Sequence, residues 1–431
     1  MQEIDLIGIG MGPANLGLLA AMMDARSEGL PIPDAIFLER SASFSWHAGA
    51  MTSHSKLQVP FLKDLAMQRN PRSRYTFLNF LYQQGRLEAF INLRELFPER
   101  EEFAEYLAWV AHEARESIRY SCDVKELFPI RGDAAGVERI GIAVSCDGGT
   151  IKQYAARAIV LGIGFAPLMS CASADADSLA QERVLHTSRL QHWLESAPLP
   201  VDGKWRFLIA GAGQSGVEAA CALLRAFPRA EVSLCTRRHT LRAIDDNPFV
   251  NSWYCGSQVA HFHSKPEPMR RAILQDLALT NFGAADRVLL DELLNHQYQG
   301  LRKGIPRFTV LAGQEIVPSS ITGGHPRCQL RDIVSQEQRE SEWNCIVLAT
   351  GYGIAEPALL RPLDPWLIRN DTGACQLQHD YRLSTNDNMK AALFMHGCAQ
   401  DQHGPAELSL APRAVRSGVL LNGILHSLAR S

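Results

Sequence analysis

No two of the ten cysteines in this 431-residue chain are spaced as C-x-x-C. Flavin disulfide reductases with two dinucleotides need a close cysteine pair to exchange with the flavin, so the scattered thiols read instead as small buried apolar residues kept reduced. A basic surplus is missing too: 43 Lys and Arg stand against 46 Asp and Glu, a formal charge of −3. That balance leaves no electrostatic footprint for nucleic acid and no polybasic stretch for a membrane surface. No apolar run approaches the roughly 18 residues of a membrane span. The opening "MQEIDLIGIG" lacks the basic n-region, long apolar segment and small-residue cleavage site of a secretory signal. Low-complexity tracts and solenoid repeats are absent as well. We therefore expect a cytoplasmic protein that acts on a small molecule.

What is present is a globular composition, 46% apolar and 21% charged, in a chain long enough for two or three domains. Ile4 to Gly8 is a short apolar run that ends in glycines, "NLGLLAAMMDA" follows with helical spacing, and "DAIFLER" is a second apolar run closed by Glu39. Strand, glycine turn, helix, strand and acid form the βαβ unit that binds a dinucleotide. In Gly10-x-Gly12-x-x-Asn15 the first glycine permits the tight turn and the second lets backbone approach a pyrophosphate. Pro13 and the following residues then open a helix whose N-terminus favours the anion. Asn15 replaces the third glycine of the generic pattern, and Glu39 is placed to accept ribose hydroxyls.

The same order returns at "WRFLIAGAGQSGVEAACALLRAFPRAEVSLCTRR". Here Gly211-x-Gly213-x-x-Gly216 is complete, and Arg237 and Arg238 stand where the first unit has an acid. A guanidinium fork suits a 2′-phosphate, so this turn selects NADP over NAD. Two turns imply two dinucleotides: a flavin on one, NADPH on the other, and hydride transfer between them. The turns alone leave open whether the reduced flavin serves a monooxygenase, a peroxide-forming NADPH oxidase or a non-catalytic redox flavoprotein. The segments "ARAIVLGIGFAP" and "NCIVLATGYG" each read as a buried strand ending in a glycine turn, and look like crossings between domains.

The stretch "FSWHAGAMTSHSKLQVPFLKDLAMQRNPRSRYTFLNFL", together with "GRLEAFINL", "DDNPFVN", "TNFGAAD", "LATGY" and "DYRL", resembles the flavin-dependent N-hydroxylating monooxygenases of siderophore biosynthesis, the L-ornithine and L-lysine N-monooxygenases. The likeness covers nearly the whole chain. It implies an α/β fold of two Rossmann-like dinucleotide-binding domains, for FAD and NADPH, with a small substrate-capping region. The expected division is an FAD domain over 1–202, an inserted NADPH domain over 203–350, and a C-terminal return to the FAD domain with the cap over 351–431. It further implies that NADPH reduces FAD, that O₂ adds to give a C4a-hydroperoxyflavin, and that a neutral primary amine takes the distal oxygen. Members are commonly homotetramers or dimers.

By the same resemblance, Lys63, Asn251 and Asn281 hold the α-amino and carboxylate end of ornithine, Ser409 lies in the substrate pocket, and Gln58 stands near the reactive edge of the flavin. Gln58, Lys63 and Asn281 are thus the catalytic-site candidates. Gln214 and Ser215 contact NADPH, Arg237 reads its 2′-phosphate, and Trp46 and His47 belong to the flavin side. The physical chemistry agrees, because a carboxylate favours an ammonium partner and amide donors that orient it. No strong general base is required of an amine nucleophile that needs only deprotonation and placement. The "FVN…TN" pair favours ornithine over lysine. One departure is the segment after His403-Gly404, "PAELSLAPRAVRSG", about two residues shorter to its "LS" than the family pattern. A changed loop beside the pocket keeps lysine, putrescine, cadaverine and histamine open as alternative amines.

Overall fold

The strand Gln2–Ile9 (β1) is apolar from Leu6 onward, and there its side chains divide by parity: Leu6 joins one core layer, while Ile7 and Ile9 join another. The same division holds in Ala35–Leu38 (β2), where Phe37 opposes Ile36 and Leu38, and in Thr150–Leu161 (β6), where Ala158 and Val160 oppose Ile159 and Leu161. Strands buried on both faces need a cover on each side, which is why they read as continuous apolar runs rather than alternating ones. The computed structural model describes residues 1–52, 55–132, 136–169, 183–196, 199–281, 283–317, 326–353 and 357–430. Cys171 and the Phe282 of "TNF" lie outside the described residues.

The first sheet also takes in Ile118–Arg119 (β3), Cys122–Arg131 (β4) and Val137–Cys146 (β5), and runs β3-β2-β1-β6-β5-β4. β6 is shared: β5 pairs antiparallel with it as far as Ala156, and a late strand, Ala392–Met395 (numbered β17 below), pairs parallel with it from Ala158 onward. The C-terminal part of the chain thus completes the sheet that its N-terminus began. The helix Arg413–Arg430 packs beside the helix Pro13–Ser27, so closely that a Cβ on Gly17 would lie 2.8 Å from Ser417 Oγ.

The segments read from sequence as crossings, Ala156–Pro167 and Asn344–Gly353, end in Ala166–Pro167 (β7) and Tyr352–Gly353 (β16), which pair with each other as a two-stranded antiparallel ribbon. The second sheet is all parallel. It consists of Val184–His186 (β8), Arg206–Ala210 (β9), Glu231–Thr236 (β10), Phe308–Ala312 (β11) and Cys345–Leu348 (β15), in the order β11-β10-β9-β15-β8. Helices Gln214–Ala226 and Arg287–Lys303 cover it. The latter starts on an Asp286 cap that accepts from Val288 N at 2.7 Å and stops at Gly304, φ 65°. Gln314–Ile316 (β12), Arg327–Asp332 (β13) and Gln338–Glu342 (β14) form a small antiparallel sheet. The two α/β units bear out the expected doubly dinucleotide-binding class.

Short helices Pro248–Ser252, Gly256–His263 and Glu267–Leu277 leave the second unit and lean on the C-terminal return. His263 Nδ1 meets Gln402 O at 3.1 Å, Arg270 Nε donates to Asp401 O at 3.0 Å, and a Cβ on Gly256 would meet Val415 at 2.9 Å. Among the described residues no helix is long and apolar enough to cross a membrane.

Candidate functional site

At the first glycine turn, Gly10 has φ 82°, and a Cβ there would lie 2.7 Å from Gly162 O, so only glycine fits. Gly12 is the N-cap of the Pro13–Ser27 helix, extended at φ −75° and ψ 176°. No side chain caps it, and no atom lies within 4 Å of where its Cβ would be. The first-turn amides therefore face open space with the positive end of the helix dipole behind them, which fits a pyrophosphate. Glu39 braces the turn: Oε2 accepts from Met11 N at 2.7 Å and Oε1 from Ser41 N at 2.8 Å. Each oxygen keeps a lone pair for a ribose hydroxyl.

Asn15 is fully buried. Its Nδ2 donates to Gly10 O at 2.7 Å and Ile9 O at 3.2 Å, which leaves Oδ1 to accept from His396 Nδ1 at 3.2 Å. His396 follows β17, so the substituted third position ties the turn to the returning chain. Burial, then the charges of Arg416 and Arg413, hold the His396 pKa well below the usual histidine value, so the ring is neutral and its proton sits on Nδ1. Its buried Nε2 has no partner among the described residues.

The second turn repeats the logic with all three glycines. A Cβ on Gly211 (φ 116°) would lie 2.3 Å from Ala349 O, one on Gly216 would lie 2.0 Å from Gly211 O, and one on Gly213 would lie 3.2 Å from Gly283 Cα. Gly213 is the N-cap of the Gln214–Ala226 helix, again without a side-chain cap. Ser215 is exposed, and Gln214 is engaged on both sides: Nε2 donates to Glu218 at 2.7 Å, and Oε1 accepts from Asp286 N at 2.8 Å. The two arginines that look alike in sequence differ in place. Arg238 donates to Gly283 O and is fixed there, whereas Arg237 is exposed, with no ion pair among the described residues.

Trp46 is buried edge-on against Phe103, with ring centroids 5.9 Å apart, and His47 beside it adopts φ 53°. The His47 ring is reached by solvent yet crowded by protein. That desolvation, with the charges of Arg100 and Arg413, brings its pKa down to about 4. Gln58 is exposed and Lys63 half-buried. Neither side chain has a hydrogen-bond or ion-pair partner among the described residues. The loop that carries Lys63 is pinned by Asp64, whose Oδ1 accepts from Ala66 N (2.8 Å) and Met67 N (2.6 Å) and whose Oδ2 accepts from Phe77 N (2.7 Å). Burial outweighs these bonds and raises the Asp64 pKa to about 6.

Asn251 is exposed, its Nδ2 on Asp246 O at 2.7 Å, and Asn281 is half-buried. Tyr254 Oη and Thr280 Oγ1, 3.1 Å apart, and Asp245 N on Thr280 O at 2.8 Å tie their two segments together. Ser409 Oγ accepts from Ala411 N at 3.1 Å. No hydrogen bond joins Lys63, Asn251, Asn281 and Ser409 to one another. The segment after Gly404 is anchored by a fully buried pair, Arg416 Nη1 on Glu407 Oε2 at 2.7 Å, with Tyr381 Oη donating to Glu407 Oε1 at 3.0 Å. With Glu407 so engaged, Arg413, whose Nε reaches Ser409 O at 3.4 Å, has no carboxylate partner among the described residues. Burial first, then Arg416, pulls its pKa to about 9.

Gly162, His396, Asp64, Arg100 and Glu218 build this site without having been singled out from the sequence. The glycine after an apolar strand and the acid in "FLKDL" were visible signals; the others gain meaning only from partners far along the chain. One sequence reading needs correction. Cys122 and Cys146, 24 residues apart, face each other across β4 and β5 with their sulfurs 2.8 Å apart. A close thiol pair does exist, brought together by strand register rather than by a C-x-x-C spacing. Burial and then the neighbouring Cys146 push the Cys122 thiol up to about 12, so it is no nucleophile at neutral pH.

Comparison with known proteins agrees along the whole chain. Residues 2–354 match the family model described as L-lysine 6-monooxygenase/L-ornithine 5-monooxygenase. The chain is 34% identical over 421 residues to an L-ornithine N(5)-monooxygenase of Burkholderia cepacia, covering 96% of this chain and 93% of that protein. Among solved structures it is similar to an ornithine hydroxylase from Pseudomonas aeruginosa, with 30% identity, TM-score 0.90, and 99% of this chain and 100% of that one covered. An ornithine N-hydroxylase from Kutzneria sp. 744 with reduced FAD, NADP⁺ and L-ornithine has 28% identity and TM-score 0.91, each chain fully covered at 100%.

Proposed function

The chain belongs to the L-lysine 6-monooxygenase/L-ornithine 5-monooxygenase family, and on that premise we propose that it N-hydroxylates the side-chain amine of L-ornithine, with FAD, NADPH and O₂, to supply a hydroxamate siderophore or a related product. The chemistry supplied by FAD, when bound, would be acceptance of a hydride from NADPH and transfer of one oxygen atom of O₂ to the amine. The residues of the chain bind, orient and exclude water. Gly10 makes the tight turn, Gly12 and Pro13 open the helix whose uncapped N-terminus takes the FAD pyrophosphate, Glu39 takes a ribose, and Trp46, His47 and Gln58 line the flavin side. Gly211, Gly213, Gln214 and Ser215 form the NADPH turn, and Arg237 takes the 2′-phosphate.

The observation that carries the substrate assignment is Lys63: a half-buried ammonium without a counter-ion among the described residues, on a loop held rigid by three hydrogen bonds to Asp64. An unpaired cation of that kind favours an anionic ligand. The ornithine carboxylate fits, with Asn251, Asn281 and Ser409 as polar partners. Asn281 and Lys63 then fix the direction in which the terminal amine points, and fixing it is most of what an amine nucleophile needs. Incubation with L-ornithine, NADPH and isotopically labelled O₂ tests the reading: one labelled oxygen atom appears on the side-chain nitrogen. Labelled peroxide alone, with unmodified ornithine, contradicts it.

Arg413 beside Ser409 supports the same reading: with Glu407 held by Arg416, it is a second cation without a carboxylate partner among the described residues, which favours the anionic end of an amino acid over a carboxylate-free amine such as putrescine, cadaverine or histamine.

A further inference from the structure

Arg100 opens the helix Arg100–Glu113 in the first-sheet half of the molecule, and its guanidinium reaches into the other half. Nη1 and Nη2 donate to the two carboxylate oxygens of Glu218, at 2.9 and 2.7 Å. Glu218 lies one turn after Gln214 on the helix that follows the second glycine turn. The pair is largely withdrawn from solvent, with side chains 19% and 8% exposed. The fork is braced from behind: Arg100 Nε donates to Lys56 O at 3.1 Å and Arg100 N to Ser55 O at 2.7 Å. That backbone leads within two residues to Gln58.

The far side of Glu218 is occupied as well. Its Oε1 accepts from Gln214 Nε2 at 2.7 Å, and Gln214 Oε1 accepts from Asp286 N at 2.8 Å, at the end of the loop that carries Asn281. A hydrogen-bonded chain therefore runs from the Gln58 segment through Arg100, Glu218 and Gln214 to the Asn281 loop. One end is the flavin-side segment of Gln58, the NADPH-turn residue Gln214 lies within the chain, and the other end is the loop of the substrate contact Asn281. The charge of Arg100 also acts on His47 on the flavin side and on Tyr352 in the crossing ribbon. A bidentate pair with little water around it has one well-defined geometry, unlike an exposed ion pair that samples several.

We propose that Glu218 is a positioning residue for hydride transfer: gripping Arg100 with both oxygens and Gln214 with one, it sets how the NADPH turn sits over the flavin-bearing half. It touches neither reacting atom. The inference rests on the two cofactor sites of the proposed function, and not on the identity of the amine.

The test is anaerobic reduction of the bound flavin by NADPH with no amine present, in the native holoenzyme, in Glu218→Gln, in Glu218→Asp, and in the neutral pair Arg100→Gln/Glu218→Gln. The neutral pair avoids stranding a buried charge, so it keeps the test open if Glu218→Gln fails to fold. A misplaced hydride donor is expected to lower the reduction rate at saturating NADPH by about tenfold or more in Glu218→Gln and in the neutral pair. Glu218→Asp, which keeps the charge, should recover part of the rate, and dithionite should reduce all four equally. Rates at saturating NADPH within about twofold of native in both the Glu218→Gln and neutral-pair proteins would overturn the proposal, whatever their thermal midpoints. Absence of NADPH-driven reduction in the native protein would overturn it too. Fast native reduction with no amine ever hydroxylated would sink the substrate reading alone.

Discussion

Asn15 occupies the space that a side chain on Gly162 would need: a Cβ at Gly162 would lie 2.5 Å from Asn15 Cγ. The first glycine turn lacks its third small residue, and the missing room is provided by a glycine just past the end of β6, the neighbouring strand. Asn15 uses that room to bind Ile9 O, Gly10 O and His396, so the turn is held by side-chain hydrogen bonds instead of by close helix packing.

Gly162→Ala is accordingly expected to push Asn15 off the turn. Overpacking of this kind costs about 1–3 kcal/mol, and here it falls on the flavin site. The variant should purify with a lower flavin-to-protein absorbance ratio and a lower thermal midpoint. Adding Asn15→Gly, which empties the contested space, should restore part of the midpoint.

Arg237 and Arg238 are adjacent in sequence but separable in effect. Arg237 is exposed and unpaired among the described residues, whereas Arg238 is tied to Gly283. Loss of a charge-assisted contact worth about 1.5–3 kcal/mol raises KM for NADPH by roughly tenfold to a hundredfold in Arg237→Ala. Steady-state kinetics with NADH should barely change. Arg238→Ala should impair both coenzymes together, because it loosens the Gly283 loop beneath Gly213.

Lys63→Ala separates substrate binding from flavin reduction. KM for ornithine is expected to rise strongly, while NADPH-driven flavin reduction stays near native. Unaltered ornithine kinetics would remove Lys63 from the site.

His403 sets an acid limit on stability. Burial, and next the nearby His263, lower its folded-state pKa to about 3 from the ordinary histidine value of 6.5, and its ring stacks on Tyr381 at 4.2 Å. The unfolded chain therefore binds a proton that the folded chain refuses between those two values. Its contribution to stability is complete above pH 6.5 and declines as pH falls, by about 1.4 kcal/mol per pH unit, until about pH 3. Denaturant titrations at a series of pH values should show a shallower acid decline in His403→Phe than in the native protein. Parallel declines would contradict this role.

Local order is what the sequence makes legible. Strand, turn, helix and acid follow one another in a single stretch at Ile4 to Glu39, and the geometry needs no distant residue to be recognised. The same holds for the turn at Gly211, and for the two strand-plus-turn segments whose ends, Ala166–Pro167 and Tyr352–Gly353, pair in the β7–β16 ribbon. What lies beyond it is long-range. Arg100 and Glu218 are 118 residues apart, Asn15 and His396 are 381 apart, and each reads alone as an ordinary polar residue on a helix or after a strand. The Cys122–Cys146 contact depends on the register of a hairpin, and a one-residue slip would turn the two thiols to opposite faces. Lys63 is intermediate. Its motif is readable, but its lack of a counter-ion is a property of the folded surroundings.

The most direct measurement is the amount of N-hydroxylated product formed per NADPH consumed, with FAD present, compared across L-ornithine, L-lysine, putrescine, cadaverine and histamine. The account predicts near-stoichiometric coupling with L-ornithine and mostly peroxide with the others, because the Lys63 ammonium needs the substrate's carboxylate to hold its amine in place. Tight coupling with a carboxylate-free diamine or histamine, and peroxide with ornithine, would contradict it.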